Sequence, residues 1–276
     1  MEHFIGFFED LESWHKLVWI VVCLSAALSF ESLRPLFKGG FRSAAHTKTN
    51  LVFLATLILI NVAVGALTVG LFIWIEVTGW GLLNMVEWPS WVELVVAIMA
   101  FDLISQYVAH LTVHRVKFLW RIHLVHHSDT KVDATTGTRL HPLDFLSRES
   151  FAVLAVLIMG APLAFYLFYR ILTIAFTYFN HSNIRLPLAV DKAISWVIIS
   201  PNTHKFHHHF EEPWTDKNFG NIFSIWDRIF GTFVYGDVDK IKYGLDVTDD
   251  SKSDDLAYQM MLPIKNNGRI KSIIKT

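Results

Sequence analysis

The sequence predicts an all-α integral membrane protein: three spans, a re-entrant helical hairpin, and a cytoplasmic helical cap that carries a metal site. Three observations carry this expectation. Apolar residues make up 53% of the 276, with a mean hydropathy of +0.38. Three separate apolar runs approach the roughly 20 residues needed to cross ~30 Å of hydrocarbon. Eleven of the fourteen histidines fall between His110 and His209.

The apolar runs extend roughly from Lys16 to Ser32, Asn50 to Ile75 and Trp91 to Val113. Arg34, Lys38, Arg42 and Lys48 separate the first two, whereas Glu76 to Trp91 contains no lysine or arginine. The positive-inside bias therefore places the first connection in the cytoplasm and the second outside. The third span returns to the cytoplasmic face, where Arg115, Lys117, Arg121, Lys131, Arg139 and Arg148 follow it.

A fourth apolar stretch, Phe151 to Asn180, must turn back if the histidines form one site. A single crossing would carry His181 and His204 to the side opposite His127. Its 30 residues give about 45 Å of helix, short of two crossings at about 30 Å each. Gly160 and Pro162 mark the break, so a short hairpin buried against the other spans is expected, since exposed irregular backbone is not tolerated in lipid.

Beyond Lys240 the chain turns polar, with Asp249, Asp250, Asp254 and Asp255 clustered. The organisation expected is N-terminal transmembrane helices over 1–90, a histidine-rich region over 91–240 forming one domain with them, and a cytoplasmic tail over 241–276. Glu2, Glu9, Asp10 and Glu12 precede the first run where a secretory signal has a basic leader, so residues 1–30 read as mature protein. A net charge of −1 gives no electrostatic reason for a nucleic-acid partner. Cys23, the only cysteine, lies in an apolar run and removes disulfides and thiolate metal sites from consideration.

Three short patterns carry the chemistry: His110 and His114 as HxxxH, His123 with His126 and His127 as HxxHH, and His204 with His207 and His208 as HxxHH. Residues three and four apart share a helix face, so each pattern aims its imidazoles at a common point. Fourteen histidines in 276 residues is a frequency near 0.05, which yields about 0.035 chance occurrences of HxxHH. Two such patterns are not coincidence, and they read as a metal cage. Single histidines are usually surface or hydrogen-bonded groups, the reading given to His3, His15 and His46.

Eight imidazoles are too many for one structural zinc, so two metal ions are implied. Imidazole suits zinc, copper, iron and nickel alike, and the element stays open at this point. Neutral ligands leave the cationic charge uncompensated, which favours oxidative over hydrolytic chemistry.

The motifs HLTVH, LWRIHLVHHS, TRLHPLDF, FNHSN, SPNTHKFHHHF and DKNFGNIFSIWDRIFGTF follow one another between roughly residues 95 and 265. In this order the chain resembles the fatty acid hydroxylase and sterol desaturase superfamily of membrane di-iron proteins. The resemblance implies two iron ions, with zinc able to substitute in preparations, and O2 as co-substrate. It also implies a lipid substrate and a separate electron donor, a cytochrome or ferredoxin with its reductase. The setting implied is a bacterial inner membrane or the endoplasmic reticulum, with the metals on the cytoplasmic face.

Carried over by motif, the ligands are His110, His114, His123, His126, His127, His181, His204, His207 and His208. A related branch has a second HxxxH where Thr177 stands four residues before His181, so one metal here would have fewer protein ligands, or water in the gap. His141, Asp216, Asn218 and Asp227 are candidates to orient the imidazoles or gate substrate, and His209 reads as solvated. The branch implies hydroxylation, with desaturation as the alternative. A histidine-rich metal transporter would place its ionisable groups at mid-span along a pathway, and a haem carrier would use paired axial histidines within the spans. The compact boxes that follow the spans fit neither.

Overall fold

The computed structural model describes residues 1–38, 43–211 and 214–265. Arg42 and residues 266–276 of the expected tail lie outside the described residues. Twelve α-helices, with no strand among the described residues, make up the fold. Four are long and apolar enough to cross a membrane: Trp14–Leu33, Ala44–Met85, Ser90–Arg115 and Leu163–His181.

A short helix α1 (Glu2–Glu9) leads into α2 (Ser13–Leu33), whose start is closed by the Glu12 backbone N–H donating to His15 Nδ1 at 3.0 Å. His15 is therefore a helix cap. The Ser43 hydroxyl caps α3 (Ala44–Thr78), which runs 35 residues before Gly79 ends it in the left-handed region. At 1.5 Å per residue it is about 52 Å long and exceeds the hydrocarbon thickness. Leu59, Val62 and Leu67 on it are more than 70% exposed, as side chains facing lipid would be. The next long helix comprises α4 (Ser90–Phe101), a π-helical stretch over Asp102–Val108, and α5 (Ala109–Arg115).

After a bend at Val116 follow α6 (Lys117–His127) and a 3-10 turn, Ala134–Thr138, capped by Asp133. Then come α7 (Pro142–Met159) and α8 (Leu163–His181), separated at Gly160 and Pro162 where the sequence signals a break. The first limb begins at Pro142, well before the apolar stretch that suggests it. Asp144, at 0% exposure, and Glu149, at 6%, are turned into the protein and disguise this turn as polar chain. With limbs of 18 and 19 residues, each about 27 Å long, the pair leaves the histidine-bearing end and returns to it.

The tip of this pair is fixed by two glycines. A methyl group on Gly81 would lie 2.4 Å from Gly160 Cα, and both residues have positive φ, 112° and 62°. Only glycine permits this approach. The Asn84 side chain donates to the Gly160 carbonyl at 2.9 Å, and the Trp80 indole to the Leu157 carbonyl at 2.9 Å. The main core, including Phe72, Phe101, Phe165 and Tyr169, fills the space between the tip and the histidines.

The remaining helices, α9 (Leu188–Ile194), α10 (Pro201–His207), α11 (Ile225–Ile229) and α12 (Leu256–Lys265), are short. The described part of the expected surface tail is packed rather than loose. Leu245, Val247 and Leu262 join Trp120, Leu124 and Val125 of α6 in a second core, because α12 hides an apolar face within a polar stretch.

Candidate metal centre

The histidines assemble into two groups, each with one nitrogen per ring within 4.8 Å of those of the others. His110, His114, His123, His127 and His207 form the first, and His126, His181, His204 and His208 the second. All nine are buried. Helical rotation explains the division. Positions i and i+4 differ by about 40° around the axis, whereas i+3 falls about 60° to the other side. In α6, His123 and His127 therefore face one group while His126 faces the other. The third box divides the same way, with His204 and His208 in the second group and His207 in the first. The groups adjoin: ring centroids are 4.7 Å apart for His127 and His208, and 5.2 Å for His204 and His207.

The outer nitrogens of five rings are anchored. His110 Nδ1 donates to the Phe219 carbonyl at 2.8 Å, and His207 Nδ1 to the Lys217 carbonyl at 2.8 Å. His181 Nδ1 reaches the Thr177 carbonyl at 2.7 Å. His114 donates to Asp216 at 2.9 Å and His123 to Asp144 at 2.8 Å. Each bond places the proton on Nδ1 and turns the Nε2 lone pair inward.

The inward atoms lack donors. Nε2 of His110, His114 and His207 is buried without a hydrogen-bond partner, as are both nitrogens of His208. His123 Nε2 lies 3.2 Å from His127 Nε2, and His181 Nε2 lies 3.0 Å from His204 Nε2. An unsatisfied buried acceptor costs about 1–3 kcal/mol, and several converging on one point would be strongly unfavourable unless a cation neutralises them. The donor set thus fits a pair of metal ions held by imidazole.

Electrostatics agree with this. Burial pushes His123 down to about 3, outweighing the attraction of Asp144. Burial and neighbouring rings also hold His126, His127, His204, His207 and His208 well below the ordinary histidine value. These rings are neutral at physiological pH, the form that ligates metal.

Of the four candidate orienting residues, Asp216 touches a ring directly. Asp227 acts one step removed: its carboxylate accepts the Phe219 N–H at 2.7 Å and the Gly220 N–H at 2.9 Å, steadying the carbonyl that receives His110. Asn218 contacts no imidazole, but ties α10 to the chain beyond it through the Thr203 and Val234 carbonyls, at 2.8 and 2.9 Å. His141 caps α7, with Nδ1 accepting from Leu143 N–H at 3.2 Å, and stands outside both groups.

The reading of His209 as solvated is corrected: it is 1% exposed, covered by Trp214 and accepting the Lys242 N–H at 2.9 Å. His46, also outside the groups, is buried and lies 3.0 Å from both oxygens of Asp129.

Sequence reasoning missed Asp144, whose Oδ1 also faces Arg148 Nε at 3.5 Å. Its place in the HPLDF motif, in the first turn of α7, is the signal that could have found it. Thr177 supplies a carbonyl to His181 rather than a ring, leaving four histidines in the second group against five in the first.

The model of the fatty acid hydroxylase family matches residues 94–232, half of the chain. The chain belongs to the fatty acid hydroxylase family. The match encloses all nine clustered histidines. Ornithine lipid hydroxylase OlsE of Rhizobium tropici is 26% identical over 147 residues, covering 53% of this chain and 43% of that protein. Alkylglycerol monooxygenase of Danio rerio is 30% identical over 159 residues, 57% of this chain and 33% of that one. A cholesterol 25-hydroxylase-like protein of Danio rerio is 26% identical over 141 residues, 51% and 55% of the two chains. The chain thus spans between a third and about half of these relatives. No solved structure matches it.

Proposed function

We propose that this chain hydroxylates an unactivated C–H bond of a membrane lipid, a fatty acyl chain, sterol or related molecule, using O2 at a histidine-held pair of iron ions. The observation that carries the reading is the pair of adjoining, buried, all-histidine groups with lone pairs turned inward. Membership in a family whose relatives include lipid hydroxylases and monooxygenases supports the oxidative choice.

In this reading His110, His114, His123, His127 and His207 hold one ion, and His126, His181, His204 and His208 the other. Such a metal pair supplies reductive activation of O2 towards an unactivated carbon. The balance is R–H with O2, two electrons and two protons giving R–OH and water, so a separate reductant is required. A cytochrome or ferredoxin with its reductase meets that need.

Asp144 and Asp216 keep their imidazoles in one tautomer and orientation, and the Phe219, Lys217 and Thr177 carbonyls do the same for three others. Burial of all nine rings keeps bulk water from the reacting carbon. The domain reading groups residues 1–90 with 91–240, since α2 packs against α8 through the Trp19 indole and the Ile171 carbonyl at 3.0 Å. The placement is an inner or endoplasmic reticulum membrane with the histidines facing the cytoplasm. α7 and α8 form the returning hairpin that brings His181 to the site.

The test is purified protein in lipid with a reductant and ¹⁸O2, followed by mass spectrometry of the lipids and metal analysis. One labelled oxygen per product and two irons per chain are expected. An unsaturated product without added oxygen would instead establish desaturation, and exchangeable metal without turnover would point to transport.

A further inference from the structure

The chain after the third histidine box carries an apolar surface that the catalytic reading does not use. Trp196, Val197, Ile225, Ile229 and Phe230 are between 40% and 63% exposed. Two segments are joined to make it: Ser224 N–H donates to the Val197 carbonyl at 3.1 Å, and Ile199 N–H to the Ile222 carbonyl at 2.9 Å. The Arg228 guanidinium, 4.0 Å from the Trp196 ring and 3.7 Å from that of Phe233, packs its stem along this surface.

The surface adjoins the Ser90–Arg115 helix at a depth that can be worked out. Trp80, Trp88 and Trp91 are exposed, as in an interfacial aromatic belt. Counting ~30 Å of hydrocarbon from Trp91, about 20 residues, puts the other boundary near Leu111. Tyr107 is then roughly 6 Å inside and Asp102 roughly 14 Å inside, and any tilt places them deeper. Phe230 stacks on Tyr107, with centroids 5.1 Å apart. The Trp226 indole donates to Asp102 at 3.0 Å.

The backbone of this segment is irregular, and its donors are met by carboxylates from within the protein. Asp102 accepts Ile222 N–H at 3.3 Å and Phe223 N–H at 3.2 Å, while Asp227 accepts those of Phe219 and Gly220. Internal satisfaction of this kind is what a hydrocarbon setting demands and an aqueous cap does not.

We propose that Trp196–Val197 and Ile225–Phe230 form a re-entrant edge immersed in the acyl chains of the leaflet adjoining the histidine groups. Lipid chains, rather than water or a second subunit, cover this surface. Its inner side carries the Phe219 carbonyl that anchors His110, so lipid lies one strand of backbone away from the first histidine group.

Nitroxide labels on single cysteines at Val197, Ile229 and Phe230, in a Cys23→Ser background reconstituted in phosphatidylcholine vesicles, test this by power saturation. The ratio of O2 to nickel-chelate collisions should match a label at lipid-facing Leu59 and exceed one at exposed Lys240 several-fold. A ratio like that of Lys240 would overturn the proposal, as would protection from both reagents, the mark of a covering protein surface. In the unaltered protein, a diazirine-bearing phospholipid should give adducts on the peptide holding Ile225 to Phe230. Adducts confined to the four long helices would equally overturn it.

Discussion

Replacing Asp144 with asparagine probes how far the first histidine group depends on a carboxylate outside it. The side chain is fully buried, accepts His123 Nδ1–H at 2.8 Å, and faces Arg148. Asparagine retains an oxygen acceptor and the volume but removes the charge, so His123 keeps its place with a weaker anchor. Losing such a partner typically lowers metal affinity 10–100-fold, about 1.4–2.7 kcal/mol. Asp216→Asn is the internal control, because that carboxylate is 37% exposed and its charge is screened by solvent. Its loss should be about tenfold or less. Graded competition with an iron(II) chelator, followed by metal analysis and thermal unfolding of each variant, reads both effects. The order Asp144 before Asp216, with near-unchanged unfolding temperatures, is expected. An Asp144→Asn protein that holds iron within about twofold of the parent, or a reversed order, would refute the reasoning.

Removing a ring outright should act more severely: His207→Ala and His126→Ala are each expected to abolish turnover and lower bound metal while the helical circular dichroism stays. Full iron content with retained turnover would contradict the assignment. Gly137→Ala would push a methyl to 2.8 Å from Thr177 Cγ2 and 3.3 Å from His181 Nδ1. Overpacking of this kind costs about 1–3 kcal/mol, visible as a lower unfolding temperature together with weaker metal retention. Acid should destabilise the metal-free protein. His123 stays neutral down to about 3 when folded but takes a proton near its ordinary value of 6.5 when unfolded. Stability is therefore fully present above that value and lost as pH falls toward 3, by roughly 2 kcal/mol at pH 5 from this ring. A flat unfolding temperature between pH 8 and pH 5 in chelator would count against it.

What could be read from sequence follows from what sequence encodes locally. The three histidine boxes were legible because helical spacing sets their direction, and the break at Gly160 and Pro162 because those residues act on their own backbone. The division of each HxxHH between two groups follows from the same rotation, once two facing helices are known. Asp144 was hidden because its partner lies 21 residues earlier and its helix begins in polar chain. The carbonyls of Phe219, Lys217 and Thr177 were invisible for a simpler reason: every residue has one. The depth of the segment around Trp226 depends on Asp102, a contact across 124 residues that no local pattern encodes.

The glycine contact at the far end of α7 and α8 acts as a ruler for the chemistry at the near end. Gly81 and Gly160 meet backbone to backbone, so the two limbs cannot slide past the α3–α4 connection without a clash. A slip of one residue there would turn each limb by about 100° and shift it by 1.5 Å. Asp144 and His181, some 27 Å away, would both lose their bearings. The alignment of the histidine groups is thus set in part at the far end of this helical pair, and a methyl group added at the tip is a test of it made far from any ligand.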